Sequence, residues 1–500
     1  MRDPYKSAIA EHCDSYKLAH WEQYPEGTEY VYSNFTPRRG RIDGTGVIFF
    51  GLQAFLKKMT KTFSEDFFGI PESDAVDGFR NFCTAFFGDF PEKSVERVRE
   101  LHRYQRIPLE FKALREGSFV PYGVPCLTIV NTDPRFFWFT NFIESWLSAE
   151  IWASCTTATM AYKYKKLFAE YAEKTSDEGW FVDFQGHDFS FRGLMGVEAA
   201  KMVGMSHLTS FKGTDCLPAI NHVRQNYIVD PGGMIGTSVP ATEHSVMCAG
   251  GEEDERETIK RLITEVHPSG IVSIVSDTWD FWKTVTETYP SLKDEIMDRE
   301  GKVVIRPDSS PLTPVEIVCG DPFADSGTPE SKGLIECLWE SFGGTTNSKG
   351  YKVLDPHIGA IYGDSITLEY AEAILKKLEN RGFASTNIVF GIGSYTYQYV
   401  TRDTHSFAMK ATAVCINGEW KSIFKDPKTD NSGKKSARGW LRVEHKSDGS
   451  KFLIEEEPEG ELKFHNSGYL STVFKEVPTS GTTFSEVRAA INANIEKGFV

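Results

Sequence analysis

The chain contains no Cys-x-x-Cys pair: its nine cysteines stand at positions 13, 83, 126, 155, 216, 248, 319, 337 and 415, never closer than 18 residues. That spacing excludes the usual zinc and dithiol-redox signatures and predicts separate free thiols in a reducing compartment, the cytoplasm. A G-x-x-x-x-G-K-[ST] loop, an H-E-x-x-H helix and an EF-hand loop are all missing, which removes the P-loop, zincin and calcium-sensor readings. Gly391-Ile-Gly393 begins like a dinucleotide loop, but Thr396 stands where the third glycine belongs, so no Rossmann site is predicted. Also missing is a long uncharged apolar run. The most apolar stretch, residues 136–152, carries Glu144 and Glu150 and reads as a core or subunit-interface helix, not a membrane span. The opening Met1-Arg-Asp-Pro-Tyr-Lys-Ser-Ala has no apolar signal segment. Positive charge is in deficit: 55 Lys and Arg against 70 Asp and Glu give a formal net charge of -15, which repels a nucleic-acid backbone at long range.

What is present is ample core material. Of 500 residues, 40% are hydrophobic and 25% charged, enough for two or three domains. In the first 150 residues, Val47-Ile-Phe-Phe50 reads as a strand stopping at Gly51, Leu52–Phe63 as an amphipathic helix, and residues 120–130 as hairpin material. From about residue 133 a long helical pattern runs through 166 toward 173. Beyond Arg402, strand-like segments return at 407–415, 440–443 and 451–454, and the polar residues 425–436 read as a mobile loop. The chain divides into an N-terminal α+β region (1–150), a central region (151–402) and a β-rich C-terminal region (403–500) that packs with the first as one discontinuous domain.

Within the central region a single theme repeats: a short apolar run ends in acidic, basic or glycine residues, and a helical stretch follows. The ends fall at Asp188, Asp215, His244, Asp277, Arg306, Asp364 and Gly391, with spacings of 27, 29, 33, 29, 58 and 27 residues, the double step holding an insertion at 321–331. This rhythm predicts an α/β fold built on an irregular, TIM-like βα barrel. In such a barrel the carboxyl ends of the strands open on one face and bring distant residues into one pocket.

The strand ends carry chemistry. His187-Asp188-Phe189-Ser190-Phe191-Arg192-Gly193 combines a carboxylate, two aromatics and a guanidinium, enough to stack a planar ring and grip an anion; the plainer alternative is an aromatic turn with a surface ion pair. Asp215 closes a glycine-bearing turn and serves either a ligand or the N-cap of the helix that follows. The string from Ser238 to Glu243-His244 delivers a histidine suited to act as base, phosphate ligand or phosphoryl acceptor. Arg306-Pro-Asp308 sets a phosphate-binding cation two residues from an anion suited to ribose or a magnesium shell, unless the two simply pair. At Gly363-Asp364 and Gly391-Ile-Gly393-Ser394, backbone amides can approach a phosphate closely.

Ordered strings along nearly the whole chain resemble the nicotinamide phosphoribosyltransferases: Asp14-Ser-Tyr16-Lys17, Asn131-Thr-Asp-Pro134, His187-Asp-Phe189, Arg192-Gly, Phe211-Lys-Gly-Thr-Asp215, Ser238-Val-Pro, Glu243-His-Ser245, Val275-Ser-Asp277, Ile305-Arg-Pro-Asp-Ser309, Asn347-Ser-Lys-Gly-Tyr-Lys352, Thr401-Arg-Asp403 and Phe424-Lys-Asp-Pro427. The resemblance implies synthesis of nicotinamide mononucleotide and pyrophosphate from nicotinamide and 5-phosphoribosyl-1-pyrophosphate in NAD salvage, with Mg2+, with ATP as coupling co-substrate, and in a homodimer with shared active sites. By it, Phe189 stacks one face of nicotinamide and Tyr16 of the partner subunit covers the other. Asp215 accepts the carboxamide N–H and repels nicotinate, and Ser238 also contacts substrate. Arg192, Arg306 and Arg402 hold phosphate or pyrophosphate, while Asp308 binds ribose with Asp277 close by. Gly363, Asp364, Gly393 and Ser394 meet the nucleotide phosphate, and His244 is transiently phosphorylated. The implied catalytic set is His244, Asp277 and Asp308.

The sequence departs from that pattern at Gly391-Ile-Gly393-Ser394-Tyr395, where the family has a run of glycines, at Ser310 and Ser365, where it has glycine, and at Cys13, where it has threonine. Two alternatives stand beside the main reading: a nicotinate phosphoribosyltransferase, and a non-catalytic binding protein on the same fold. Asp215 and the Tyr16 string favour the amide; His244, Asp308 and the three arginines are superfluous to a scaffold.

Overall fold

The computed structural model describes residues 3–308, 312–425, 436–479 and 481–499. Ser310, and the expected loop apart from its end residues 425 and 436, lie outside the described residues. The chain forms two compact units.

One unit gathers Met1–Thr159, Arg224–Asp230 and Val400–Val500. Its frame is a seven-stranded antiparallel sheet in the order Glu419–Ser422, Phe407–Ile416, Thr28–Pro37, Leu127–Asn131, Leu109–Ala113, Ser471–Lys475, Val477–Pro478. Thr28–Pro37 runs against Phe407–Ile416 from Thr28 opposite Ile416 to Pro37 opposite Phe407, so early and late segments share one ladder. Leu109–Ala113 buries Leu109, Phe111 and Ala113, the two-residue period of a half-buried strand. The helix Leu52–Phe63 buries Leu52, Phe55, Leu56, Met59 and Phe63 along one stripe, each burial contributing about 1.5–3 kcal/mol.

Residues 120–130 do not form a hairpin. Phe119–Pro121 pairs with Gly46–Ile48, whereas Leu127–Asn131 pairs inside the large sheet. Pro121 and Pro125 have no N–H to offer a mutual ladder, so the chain leaves one sheet for another between them.

The other unit comprises Met160–Val223 and Pro231–Tyr399. Its six-stranded sheet is parallel throughout, in the order Gly213–Thr214, Gly186–Asp188, Ile388–Ile392, Ile358–Tyr362, Glu300–Arg306, Ser269–Val275. At the two edges, Gly213 makes a parallel bridge to Thr237 and Ser273 one to Ala241. Ile358–Tyr362 is buried over its whole length, the pattern of a strand covered on both faces. Helices such as Leu368–Asn380, which buries Ala371, Ile374, Leu375 and Leu378, supply that cover. The result is a mixed α/β fold.

Parallel pairing aligns the strand ends. Asp188 and Arg306 are the last residues of their strands, Asp215, Gly363 and Gly393 directly follow theirs, and Asp277 comes two residues after Val275. The long step after Arg306 is filled by the helices Pro314–Cys319, Pro329–Lys332 and Leu334–Phe342 and by a hairpin of Gly344–Thr346 with Lys352–Leu354. Its turn caps the helix Glu144–Thr175: Asn347 Nδ2 donates to Thr175 O at 2.8 Å and Lys349 Nζ to Ser176 O at 2.7 Å. Among the described residues, no helix is long and apolar enough to cross a membrane.

Candidate active site

A cavity of about 370 Å³ lies in the parallel-sheet unit, and Phe189, Asp215, Ser238 and Arg306 all line it. Four sequence-predicted residues from four separate segments are therefore brought together. Phe189 follows the strand Gly186–Asp188, and its amide is fixed by a 3.0 Å hydrogen bond to Ile392 O. Its ring lies across the backbone of Gly363 and Gly391, where an added Cβ would meet ring carbons at 2.7 and 2.2 Å. Glycine at those two strand ends makes the seat for an aromatic ring. Phe191 sits on the turn Phe191–Gly193 and does not line the cavity.

Asp215 does not cap the helix Leu217–Asn226 with its side chain. Its Oδ1 accepts from His187 Nε2 at 2.9 Å and from Ser238 Oγ at 2.5 Å. Burial pushes its carboxyl upward, but His187, Ser238 and the more distant Arg306 charge together hold it below the usual carboxylate range. An ionised acceptor thus shares a mostly apolar cavity with the Phe189 ring. Such a pair recognises a flat ring bearing an N–H donor.

His244, Asp277 and Asp308 form a second group. His244 Nε2 lies 3.3 Å from Asp277 Oδ1 and its Nδ1 lies 4.0 Å from Asp308 Oδ2. The Asp308 amide donates to Asp277 Oδ2 at 2.8 Å, which ties the segments leaving two neighbouring strands to each other. Arg306 makes no ion pair with Asp308. Its Nη2 donates to Thr242 O at 2.5 Å, and its buried Nε has no hydrogen-bond partner among the described residues. A guanidinium with a spare buried donor calls for an anion. Among the described residues no three His, Cys, Asp or Glu side chains are grouped to hold a metal ion. Asp277 and Asp308 suit an ion that arrives on a phosphate and needs only one or two protein carboxylates, as magnesium does.

Other predicted residues sit apart from this cavity. Gly193, next in sequence to Arg192, packs on Ser394, since a Cβ there would strike Ser394 Oγ at 2.0 Å, and Asp364 is exposed with Ser365 Oγ 3.1 Å away. Ser365 holds φ +53°, a left-handed position where glycine is the unstrained choice. Gly393 lies at the start of the Ser394–Tyr397 turn. Asp188, the first acid of the strand-end series, faces inward: it is buried and accepts from Ser190 N and Oγ at 2.9 and 2.6 Å.

Tyr16 and Arg402 belong to the antiparallel unit. Tyr16 is 60% exposed on the helix Ser15–Ala19, which is anchored by the buried Lys17 ammonium, 2.7 Å from Glu144. Arg402 belongs to a cationic cluster there. Burial, then the charges of Arg402 and Arg39, pull the Arg38 guanidinium below its ordinary value. Lys410 is lowered likewise, by burial and by Arg38, Lys425 and Arg402 against an opposing Glu144.

Three features are not singled out by sequence reasoning. His187 stands there only as one member of a string, although its imidazole holds Asp215. Ser273 lines the cavity, and its buried Oγ is unpartnered among the described residues; a hydroxyl set between the buried Val272 and Ile274 of the strand Ser269–Val275 is its signal. Arg38 and Lys410 complete the set, and the Arg38-Arg39 doublet is conspicuous in so acidic a chain.

Comparisons with known proteins bear on the family and the fold. Residues 184–457 match the nicotinate phosphoribosyltransferase (NAPRTase) family, and residues 8–102 match the nicotinamide phosphoribosyltransferase N-terminal domain. A nicotinamide phosphoribosyltransferase of Acinetobacter baylyi is 49% identical over 497 residues, 97% of each chain. One of Mycoplasma pneumoniae is 36% identical over 84% of this chain and 92% of its own length. Among solved structures, a nicotinate-nucleotide pyrophosphorylase from Pyrococcus furiosus superposes with a TM-score of 0.59 at 14% identity, covering 98% of this chain and 96% of that one. The human nicotinic acid phosphoribosyltransferase gives 0.58 at 14%, covering 99% and 94%. At that identity the likeness is one of fold.

Proposed function

We propose, from the premise that this chain belongs to the nicotinamide phosphoribosyltransferase family, that its cavity binds nicotinamide and joins it to 5-phosphoribosyl-1-pyrophosphate in NAD salvage. The observation that carries this reading is Asp215, held by His187 and Ser238, in one cavity with the Phe189 ring. Phe189 stacks the pyridine, Asp215 accepts the carboxamide N–H, and Ser238 and Ser273 line the same cavity. The pyridine nitrogen donates its lone pair to C1 of the ribose while the C1–O bond to pyrophosphate breaks and its electrons leave with the oxygen. Positive charge develops on the sugar and negative charge on pyrophosphate. Arg306 answers the negative charge, and Asp308 holds ribose hydroxyls with Asp277 bracing its turn. By the family resemblance, Arg192, Arg402, Asp364, Gly363, Gly393 and Ser394 are assigned to phosphate contacts. Asp277 or Asp308 would hold magnesium, which when bound would supply further neutralisation of the pyrophosphate charge.

His244, set between two carboxylates, suits a histidine that takes a phosphoryl group from ATP: the ring nitrogen forms the N–P bond and ADP departs. The same residues support a finer view of the fold. The two edge bridges from Thr237 and Ala241 would close the six strands into an irregular barrel. Tyr16 of the partner subunit is the candidate for the second face of the pyridine, which makes the working unit a homodimer. The nine free cysteines support a cytoplasmic setting.

The test is turnover of nicotinamide and nicotinate, with and without ATP, in the wild type and in His244→Ala. Nicotinamide should be preferred, and His244→Ala should lose the ATP stimulation while keeping basal turnover measurable. Preference for nicotinate overturns the substrate assignment; ATP stimulation and ATPase unchanged in His244→Ala overturn the phosphohistidine.

A further inference from the structure

We infer that His187 sets the base preference: it is a positioning residue that pins one oxygen of Asp215 so that the other is presented to the carboxamide. The inference rests on the reading of Asp215 given above. Both side-chain hydrogen bonds to that carboxylate, from His187 Nε2 at 2.9 Å and Ser238 Oγ at 2.5 Å, converge on Oδ1. Oδ2 accepts no hydrogen bond from the described residues. A carboxylate held by two donors on one oxygen is fixed in rotation, and its remaining lone pairs have a single direction in which to accept an N–H. Nicotinamide supplies that N–H. Nicotinate brings a second negative charge to the same point, and its rejection depends on Asp215 staying there.

The imidazole is itself held. It is 12% exposed, tilts against Phe189 with ring centroids 5.1 Å apart, and lies on Gly213, where an added Cβ would come within 2.7 Å of Nδ1. Gly213 carries no left-handed φ, so the space over it serves the histidine ring and not a turn. One side chain therefore joins the ring clamp to the acceptor that reads the ring's substituent.

The experiment measures kcat and KM for both bases in His187→Phe, His187→Gln, Gly213→Ala and Asp215→Asn. His187→Phe keeps a flat ring without a donor. Its nicotinamide KM should rise roughly tenfold or more, the worth of a hydrogen bond to a charged group, while kcat changes little and the preference for nicotinamide narrows. His187→Gln reaches with an N–H to nearly the place of Nε2 and should recover much of that preference. Gly213→Ala, which displaces the ring with His187 intact, should narrow it too and serves if His187→Phe does not fold. A wild-type ratio in both His187→Phe and Gly213→Ala, with the ratio collapsed in Asp215→Asn, sinks the role of His187 alone. An unchanged ratio in Asp215→Asn sinks the reading of Asp215 beneath it. Equal losses in His187→Phe and His187→Gln also overturn the inference, because the donor would then be irrelevant.

Discussion

Gly363 and Gly391 act through the side chains they do not have. Phe189 occupies the space a Cβ would fill, most tightly at Gly391, where the approach would be 2.2 Å. Gly391→Ala must push the ring off its seat, at a stability cost of about 1–3 kcal/mol for overpacking and a rise in nicotinamide KM of roughly tenfold, taking a displaced stacking contact at its usual worth. Gly179→Ala, with no atom near its would-be Cβ, is the control, and equal KM values in the two variants would refute the seat. Residues of this kind also show what the sequence could reveal. Phe189, Asp215 and Arg306 were legible because each lies at or just beyond a strand end, a place that chain rhythm marks, whereas Ser238 follows only an isolated bridge residue and was named by family resemblance. Asp188 and His187 were not told apart. Adjacent residues of a strand face opposite ways, so the conspicuous acid turned inward and the unassigned histidine turned to the cavity.

Among the elements, the helix Leu52–Phe63 was legible to its end residues because its apolar stripe keeps the 3.6-residue period. The strand Gly213–Thr214 has only two residues and no period to read, and residues 120–130 misled because two short apolar runs near a turn do not say which strands they will pair with. The start of Leu52–Phe63 carries a titration. Glu116 is fully buried there, accepting from the Gln53 amide at 2.8 Å and from Tyr227 Oη at 2.5 Å. Burial raises its carboxyl to about 6, over the downward pull of Tyr227 and the Gln53, Leu52 and Gly51 amides. Because the folded value exceeds the unfolded one, the folded state binds the proton first, and this group's contribution to stability increases as pH falls from 7 toward the ordinary glutamate range. Urea unfolding of the wild type and Glu116→Gln at pH 7 and pH 5 should show the variant's relative advantage shrinking by about 1–2 kcal/mol on acidification. Parallel pH profiles would exclude Glu116 as the source.

At the scale of the whole molecule, the residues assigned by family resemblance fall in different units: Tyr16 and Arg402 in one, Phe189, Asp215, His244 and Asp308 in the other. If Tyr16 serves the partner subunit, two defects in different units complement each other. Tyr16→Ala and Asp308→Ala should each be nearly inactive, and random mixing of their subunits should restore about a quarter of wild-type activity, since half of the dimers are mixed and each mixed dimer has one intact site. Activity no greater than the sum of the separate variants would mean that Tyr16 does not act across subunits. The antiparallel sheet has a further consequence, in time. Thr28–Pro37, Leu127–Asn131 and Leu109–Ala113 are made early and can pair with one another, but the strands that cover their two edges, Phe407–Ile416 and Ser471–Lys475, leave the ribosome last. At about 5–20 residues per second, that half-built sheet waits on the order of tens of seconds with open edges. Nascent chains stalled before residue 407 are therefore the form of this protein most exposed to aggregation, and the form in which a chaperone has most to shield.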